Sequence, residues 1–244
     1  MRPALNRRRG YFAGFALAAC AAPAAALAAD FGSLRDLAQA EFRDLARDIG
    51  SAFSYKGVVP ATPLGTVGFD VGLEVTETRM EHSRVFALAG AGEHSRLVLP
   101  KLHVHKGLPL NFDVSAFVAA VPDVDARLAG AALRWTLADD GWVFPAVGVR
   151  VSGTRATGTG DLKVSTAAID ALVSKKFTSV TPYAGAGTVR IQASATGTPL
   201  REERVSEARV FGGVNVNLLA ANVAVEAEKM GDNVSISAKI GWRF

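Results

Sequence analysis

From Val67 to Phe244 the chain alternates apolar and polar residues with a period of two. In 67–75, Val67, Phe69, Val71, Leu73 and Val75 share one face, while Gly68, Asp70, Gly72 and Glu74 share the other. In 110–120, Leu110, Phe112, Val114, Ala116 and Val118 oppose Asn111, Asp113 and Ser115. Leu133, Trp135 and Leu137 oppose Arg134 in 129–137, and Val147, Val149 and Val151 oppose Arg150 in 143–152. Val189 and Ile191 oppose Arg190 in 183–193, and Val210, Val214 and Val216 oppose Arg209 in 208–218. Val223, Val225 and Ala227 oppose Glu226 and Glu228 in 223–229, and 234–244 repeats the pattern to Phe244. Such alternation predicts strands with one apolar face. Two stretches are less regular. Residues 97–105 place Val98, Leu102 and Val104 against Lys101, His103 and His105, with Pro100 between them. Residues 161–173 lose phase near Ile169 and Asp170, which predicts a bulge. The count is ten strands.

Ahead of the strands, 33–49 carries a helical period. Leu34, Ala38, Phe42, Leu45 and Ile49 form one stripe with Leu37 beside it. Ser33 and Asp36 have capping-box spacing, and Gly50 is the predicted stop. Residues 54–66 are rich in Pro and Gly and read as a linker.

The strands are nine to eleven residues long, the length needed to cross a bilayer as a tilted strand. Their polar face carries Asp70, Glu74, Asp113, Arg134, Arg150, Arg190, Arg209, Glu226, Glu228, Lys239 and Arg243, and the other face almost no charge. A membrane barrel turns such an apolar face to lipid and the charges to its lumen. With both ends on one side, Phe112, Trp142, Phe144, Tyr183, Trp242 and Phe244 gather at one interface with Trp135 close by, as an aromatic girdle. The long connections 76–96, 121–128, 153–160, 194–207 and 230–233 then fall on the opposite, external side.

The first 28 residues resemble a secretory signal. Basic "MRPALNRRRG" precedes an apolar, Ala-rich run that closes on Ala26-Leu27-Ala28, so cleavage is expected between Ala28 and Ala29. Two alternatives stand beside plain secretion. The run ending in Cys20 resembles a lipoprotein box, and Arg8-Arg9 resembles a twin-arginine signal. Cys20 is the single cysteine, so cleavage leaves a thiol-free chain suited to an oxidising compartment. The net charge of +4 comes from Arg2, Arg7, Arg8 and Arg9; without them 23 basic face 23 acidic residues. No basic block with aromatics remains, which argues against nucleic acid as a partner. The expected organisation is signal 1–28, helix and linker 29–66, and barrel 67–244.

The final strand resembles the terminal-strand signal of Gram-negative outer-membrane β-barrel proteins, through Ile236, Ala238, Ile240, Trp242 and Phe244. That resemblance implies the barrel assembly machinery, periplasmic chaperones and outer-membrane lipids as partners. "KGLPLNFDV" and "SKKFTSVTPYAGAG" are similar to a functionally uncharacterised group of proteobacterial outer-membrane barrels. This second resemblance covers most of the barrel and implies fold and location but no activity.

Candidate chemistry is sparse. His103 and His105, about 7 Å apart on one face of a strand, could share a metal. No third ligand has a matching spacing, and they read as polar lumen residues. Glu226 and Glu228 have acid/base spacing but read as charge partners of Arg209, Lys239 or Arg243. An enzyme at the external rim would use Glu77, Glu81, His82, Glu93 or His94 with Ser83 or Ser95. The 33–49 helix could plug the lumen, lie on the membrane or dock at the periplasmic mouth, and the last two are favoured. The expected protein is an all-β, ten-stranded transmembrane antiparallel barrel without cofactor. It is structural or a narrow passage for small solutes. The alternatives are a surface hydrolase of lipid or peptide, or a ligand-binding barrel using the 76–96 loop.

Overall fold

In the computed structural model, residues 33–89, 95–121, 126–219 and 221–244 are described. The expected cleavage site Ala28–Ala29, Cys20, Glu93 and His94 lie outside them. Ten antiparallel strands close into one barrel. They are β1 Phe69–Arg79, β2 Arg96–Gly107, β3 Phe112–Ala120, β4 Arg127–Ala138 and β5 Ala146–Thr157. The second half comprises β6 Leu162–Ser174, β7 Val180–Ala195, β8 Glu203–Leu218, β9 Ala221–Met230 and β10 Asn233–Arg243. Each strand pairs with its sequence neighbour, and β10 closes on β1 with Asp70 opposite Arg243 and Arg79 opposite Val234. Short connections gather at one end (108–111, 139–145, 175–179, 219–220), called here the turn end. Among the described residues, the opposite, loop end holds 80–89, 158–161, 196–202 and 231–232.

The barrel has two storeys. In the turn-end half the outward residues are apolar, among them Leu73, Leu102, Leu133, Val151, Ile169 and Ile240, and the inward residues are charged. In the loop-end half the inward residues turn apolar: Leu97, Leu99, Phe117, Leu128, Leu162, Val164, Val189 and Ile191 are buried. The outward positions there become polar, with Arg155, Lys163, Arg190 and Arg204 all exposed. This division corrects three expectations. Residues 161–173 hold no bulge: β6 keeps unbroken register with β5 and β7, and the apparent slip marks the passage between storeys. The register shift lies instead between Thr136 and Ala138. Arg190 faces outward, because Val189 and Ile191 are needed inside against a helix. Tyr183, expected in the girdle, is buried inward.

That helix explains why the upper lumen is apolar. After a short 3-10 turn at Leu34–Asp36, α1 runs from Gln39 to Phe53 inside the barrel, packed against β5, β6, β7 and β8. The helix start shifts with it: Glu41 accepts a hydrogen bond from the Ala38 amide at 2.8 Å, whereas Ser33 makes no side-chain cap. Gly50 does not stop the helix. It lies in the last helical turn, and a Cβ there would come 2.5 Å from Ile191, so glycine lets helix and wall approach. Lys56 covers the exposed carbonyl end, its Nζ donating to the Ser51 carbonyl at 2.9 Å. The second helix, α2 at Ser83–Leu88, buries Val85 and Phe86 and covers α1 at the loop end.

Candidate functional site

The chain threads the lumen from end to end. At the loop end Gln39 bonds the Arg201 carbonyl and Glu203, and Arg43 Nε meets Glu203 at 2.9 Å. Arg47 Nε reaches Glu207 at 3.1 Å. Below α1, residues 54–61 are buried, so the expected linker is the lower half of a plug. The Leu64 amide meets Asp113 at 2.9 Å, and Lys106 binds the Thr66 carbonyl near the start of β1. An apolar stripe must find cover, and here the cover is the interior of the barrel. This is the least favoured of the three placements expected for the helix.

Charges in a lumen this narrow must be paired. Asp170 accepts from Arg150 at 2.9 Å and from Arg209 at 2.6 and 2.5 Å. Arg134 binds Asp113 at 2.8 Å and the carbonyls of Pro60 and Thr62. Asp70 takes Lys239 at 3.1 Å and Arg243 at 2.6 Å across the β1–β10 seam. Glu74 takes Lys101 at 2.8 Å. The plug joins this network: Lys56 Nζ lies 2.9 Å from Glu228, both fully or nearly buried, and Arg209 donates to the Tyr55 carbonyl at 2.8 Å. Arg150 packs over the Tyr55 ring at 5.5 Å.

All the expected lumen charges except Arg190 therefore point inward. The pairings differ from expectation: Lys239 and Arg243 choose Asp70 rather than Glu226 or Glu228. Glu228 meets Lys56 and, at 3.5 Å, Arg209. Among the described residues, neither the buried carboxylate oxygens of Glu226 nor the buried Tyr183 hydroxyl has a hydrogen-bond partner. His103 and His105 stack at 5.5 Å inside, with His103 Nε2 2.7 Å from Glu74 but poorly aligned for a hydrogen bond. No set of three metal-ligating side chains forms among the described residues. Lys56, Asp170 and Tyr55 were missed as lumen groups. Asp170 shares inward parity with Leu162 and Val164, a signal that an unbroken strand would have revealed.

At the rim, the buried Asp48 of α1 receives the His82 amide at 2.8 Å and lies 3.1 Å from His82 Nδ1. Burial pushes the Asp48 carboxyl above its ordinary range, against the opposing pull of those hydrogen bonds. The Glu81 amide bonds Asn233 at 3.0 Å, and Glu77 pairs with Arg96 at 3.2 Å on the outer face. Ser83 opens α2, and the Ser95 carbonyl accepts from the Met80 amide at 2.9 Å. No hydroxyl bonds His82 among the described residues.

Outside, the turn end carries the aromatic belt. Phe69 and Phe244 lie 5.7 Å apart and Phe112 stacks on Trp135 at 5.5 Å. Trp142, Phe144, Phe177 and Trp242 are exposed. Ile236, Ala238, Ile240, Trp242 and Phe244 all face outward. A water-soluble barrel buries its apolar face; this one exposes a continuous apolar wall beneath that belt while burying fourteen charged side chains among the described residues. The chain is a transmembrane β-barrel. No family model matches this barrel, and no curated protein matches it. Among solved structures, the translocator domain of autotransporter NalP from Neisseria meningitidis aligns at 11% identity and a TM-score of 0.42. That alignment covers 84% of this chain and 97% of NalP's. KdgM porin aligns over 73% of this chain and 99% of its own, at 11% identity and a TM-score of 0.35. Ail, the attachment invasion locus protein of Yersinia pestis, covers 73% and 99% at 13% identity and 0.29. At such scores the likeness carries no argument of its own. The barrel's inverted surfaces do.

Proposed function

We propose that this outer-membrane barrel is a non-enzymatic scaffold, sealed by its own N-terminal segment, with its loop end facing outward. The observation that carries this reading is the buried Lys56–Glu228 pair, which ties the threaded segment to the wall at mid-lumen. In this reading residues 1–28 act as the export signal, cut between Ala28 and Ala29, and the strand ending at Phe244 is read by the assembly machinery. Two further features support it. Connections at the loop end are longer, as in barrels of this kind. The rim pair His82–Asp48 anchors α1 to the first loop, which gives that imidazole a structural task rather than a catalytic one.

Planar-bilayer recording of the full-length mature chain tests the seal. Silent membranes with rare brief openings are expected, and large steady currents overturn the proposal. Cysteine labelling of intact cells tests orientation: Thr198→Cys in a loop-end connection should react and Thr178→Cys in a turn should not. A second reading, a gated narrow passage, is favoured by one observation. A cleft of about 380 Å³ opens at the turn-end mouth, lined by Pro60, Leu64, Asp140, Lys176, Asn217 and Arg243. Solute could enter there once the plug shifts.

A further inference from the structure

The outward face of the loop-end storey is cationic on one wall. Antiparallel register sets its residues in rows across β4 to β8. One row runs Ala129, Arg155, Ser165, Gln192 and Arg204. The row above holds Arg127, Thr157, Lys163 and Ser194. The row below holds Gly153, Ala167, Arg190 and Ser206. The next row toward the turn end is Leu133, Val151, Ile169, Thr188 and Ala208, and it begins the apolar wall. Strands lie about 5 Å apart and alternate residues about 7 Å apart along a strand, so this plateau measures roughly 20 Å by 14 Å. Arg204 pairs with Glu202 at 2.6 Å, while Arg155, Lys163 and Arg190 have no acidic partner among the described residues. A groove of about 490 Å³ sits within the plateau, lined by Arg155, Thr157, Lys163, Ser165, Gln192 and Ser194.

We infer that this plateau is a binding site for a phosphorylated lipid of the leaflet at the loop end. A free anion would be served by the cations alone. Here the cations and hydroxyls meet the apolar wall without a break, so a single ligand can set phosphate oxygens on Arg155, Lys163 and Arg190 and lay acyl chains over Val151 and Ile169. Guanidinium and ammonium groups suit phosphate by charge-assisted hydrogen bonds. The two ends of the barrel are dressed for different interfaces: aromatic at the turn end, cationic at the loop end. The inference rests on the proposed outward orientation only for which leaflet supplies the lipid.

Native mass spectrometry of the full mature chain from mixed micelles tests it, with bis-phosphorylated lipid A as probe against the same lipid stripped of phosphate. The wild type should retain the phosphorylated form and not the stripped form. The triple variant R155Q/K163Q/R190Q should lose at least about tenfold in retention. R79Q, which removes an outward cation from the far wall, should stay within about twofold. These outward positions leave the core untouched, and an unchanged heat-dependent gel shift checks that each variant is folded. Equal retention of stripped lipid, unchanged retention by the triple variant, or full displacement by excess inorganic phosphate each overturns the site. If retention holds but cell labelling places the loop end in the periplasm, the orientation fails while the site stands.

Discussion

The seal depends on one charge pair whose removal has a calculable cost. Glu228→Gln leaves the Lys56 ammonium buried among neutral oxygens only, the new amide oxygen, the Ser51 carbonyl at 2.9 Å and Ser54 Oγ at 3.0 Å, and with Arg209 still close. Stripping one partner from a buried ion pair costs about 3–5 kcal/mol. The surviving oxygens favour the lower end, so about 3 kcal/mol shifts from the sealed to the displaced state. At about 1.4 kcal/mol per decade, the displaced fraction should rise roughly a hundredfold. The double variant K56M/E228L removes both charges and fills the space with apolar atoms, which is often close to neutral. Arg209 keeps its two contacts to Asp170 in that variant. Single-channel recording reads the result directly as open time. The expected order is wild type and double variant nearly silent, and E228Q open far more often. The reasoning is refuted if E228Q is as silent as the wild type, or if the double variant is as open as E228Q.

Four further outcomes follow from the same geometry. Asp170→Asn strands the guanidiniums of Arg150 and Arg209 together, and should cost about 3–5 kcal/mol, read as a lower temperature for the gel-mobility shift. Gly57→Ala places a Cβ 2.0 Å from Arg150 Nη1, so the guanidinium, which Asp170 holds through its Nε, must shift; the overpacking should cost about 1–3 kcal/mol and raise channel openings, whereas unchanged recordings would count against tight threading. Asp48, with its carboxyl raised by burial, binds its proton more tightly folded than unfolded. Its contribution is complete below the ordinary carboxylate range and lost as pH rises through the folded value. Asp48→Asn mimics the protonated form, so its stability relative to wild type should grow from about pH 4 toward 7, checked by urea midpoints across that range. Deleting Phe244 removes the paired bonds with Phe69, at 2.6 and 3.0 Å, and the ring beside it; less folded barrel should reach the outer membrane, measured by fractionation.

Strand number, order and closure were legible because a period of two survives from Phe69 to Arg243, and the sign of the pattern separates lipid from lumen. What misled was treating each strand as having a single apolar face. Long strands such as β7 cross from lipid into the outer storey, so the rule inverts partway along. Arg190 and Tyr183 were misassigned for that reason, and Asp170 was hidden by the bulge the inversion mimics. Glycine-rich 185–187, which gives no face a side chain of size, left the phase of β7 open to either reading. The helix was legible as an amphipathic stripe, but a stripe demands cover without naming it. Lys56 was overlooked because prolines and glycines made 54–66 look like a solvated linker. Its one lysine, followed by Gly57 where the wall leaves no room for a Cβ, was the trace of a threaded path.

The threaded segment gives the molecule the topology of a ring on an axle. Residue 68 runs straight into the wall, so the axle cannot leave through the loop end; it can only be drawn back toward the turn end, feeding α1 through the charged half. A folded module fused ahead of Ser33 would then act as the stopper of a rotaxane. It would hold the axle in the ring without any added bond, and make withdrawal conditional on unfolding the module first.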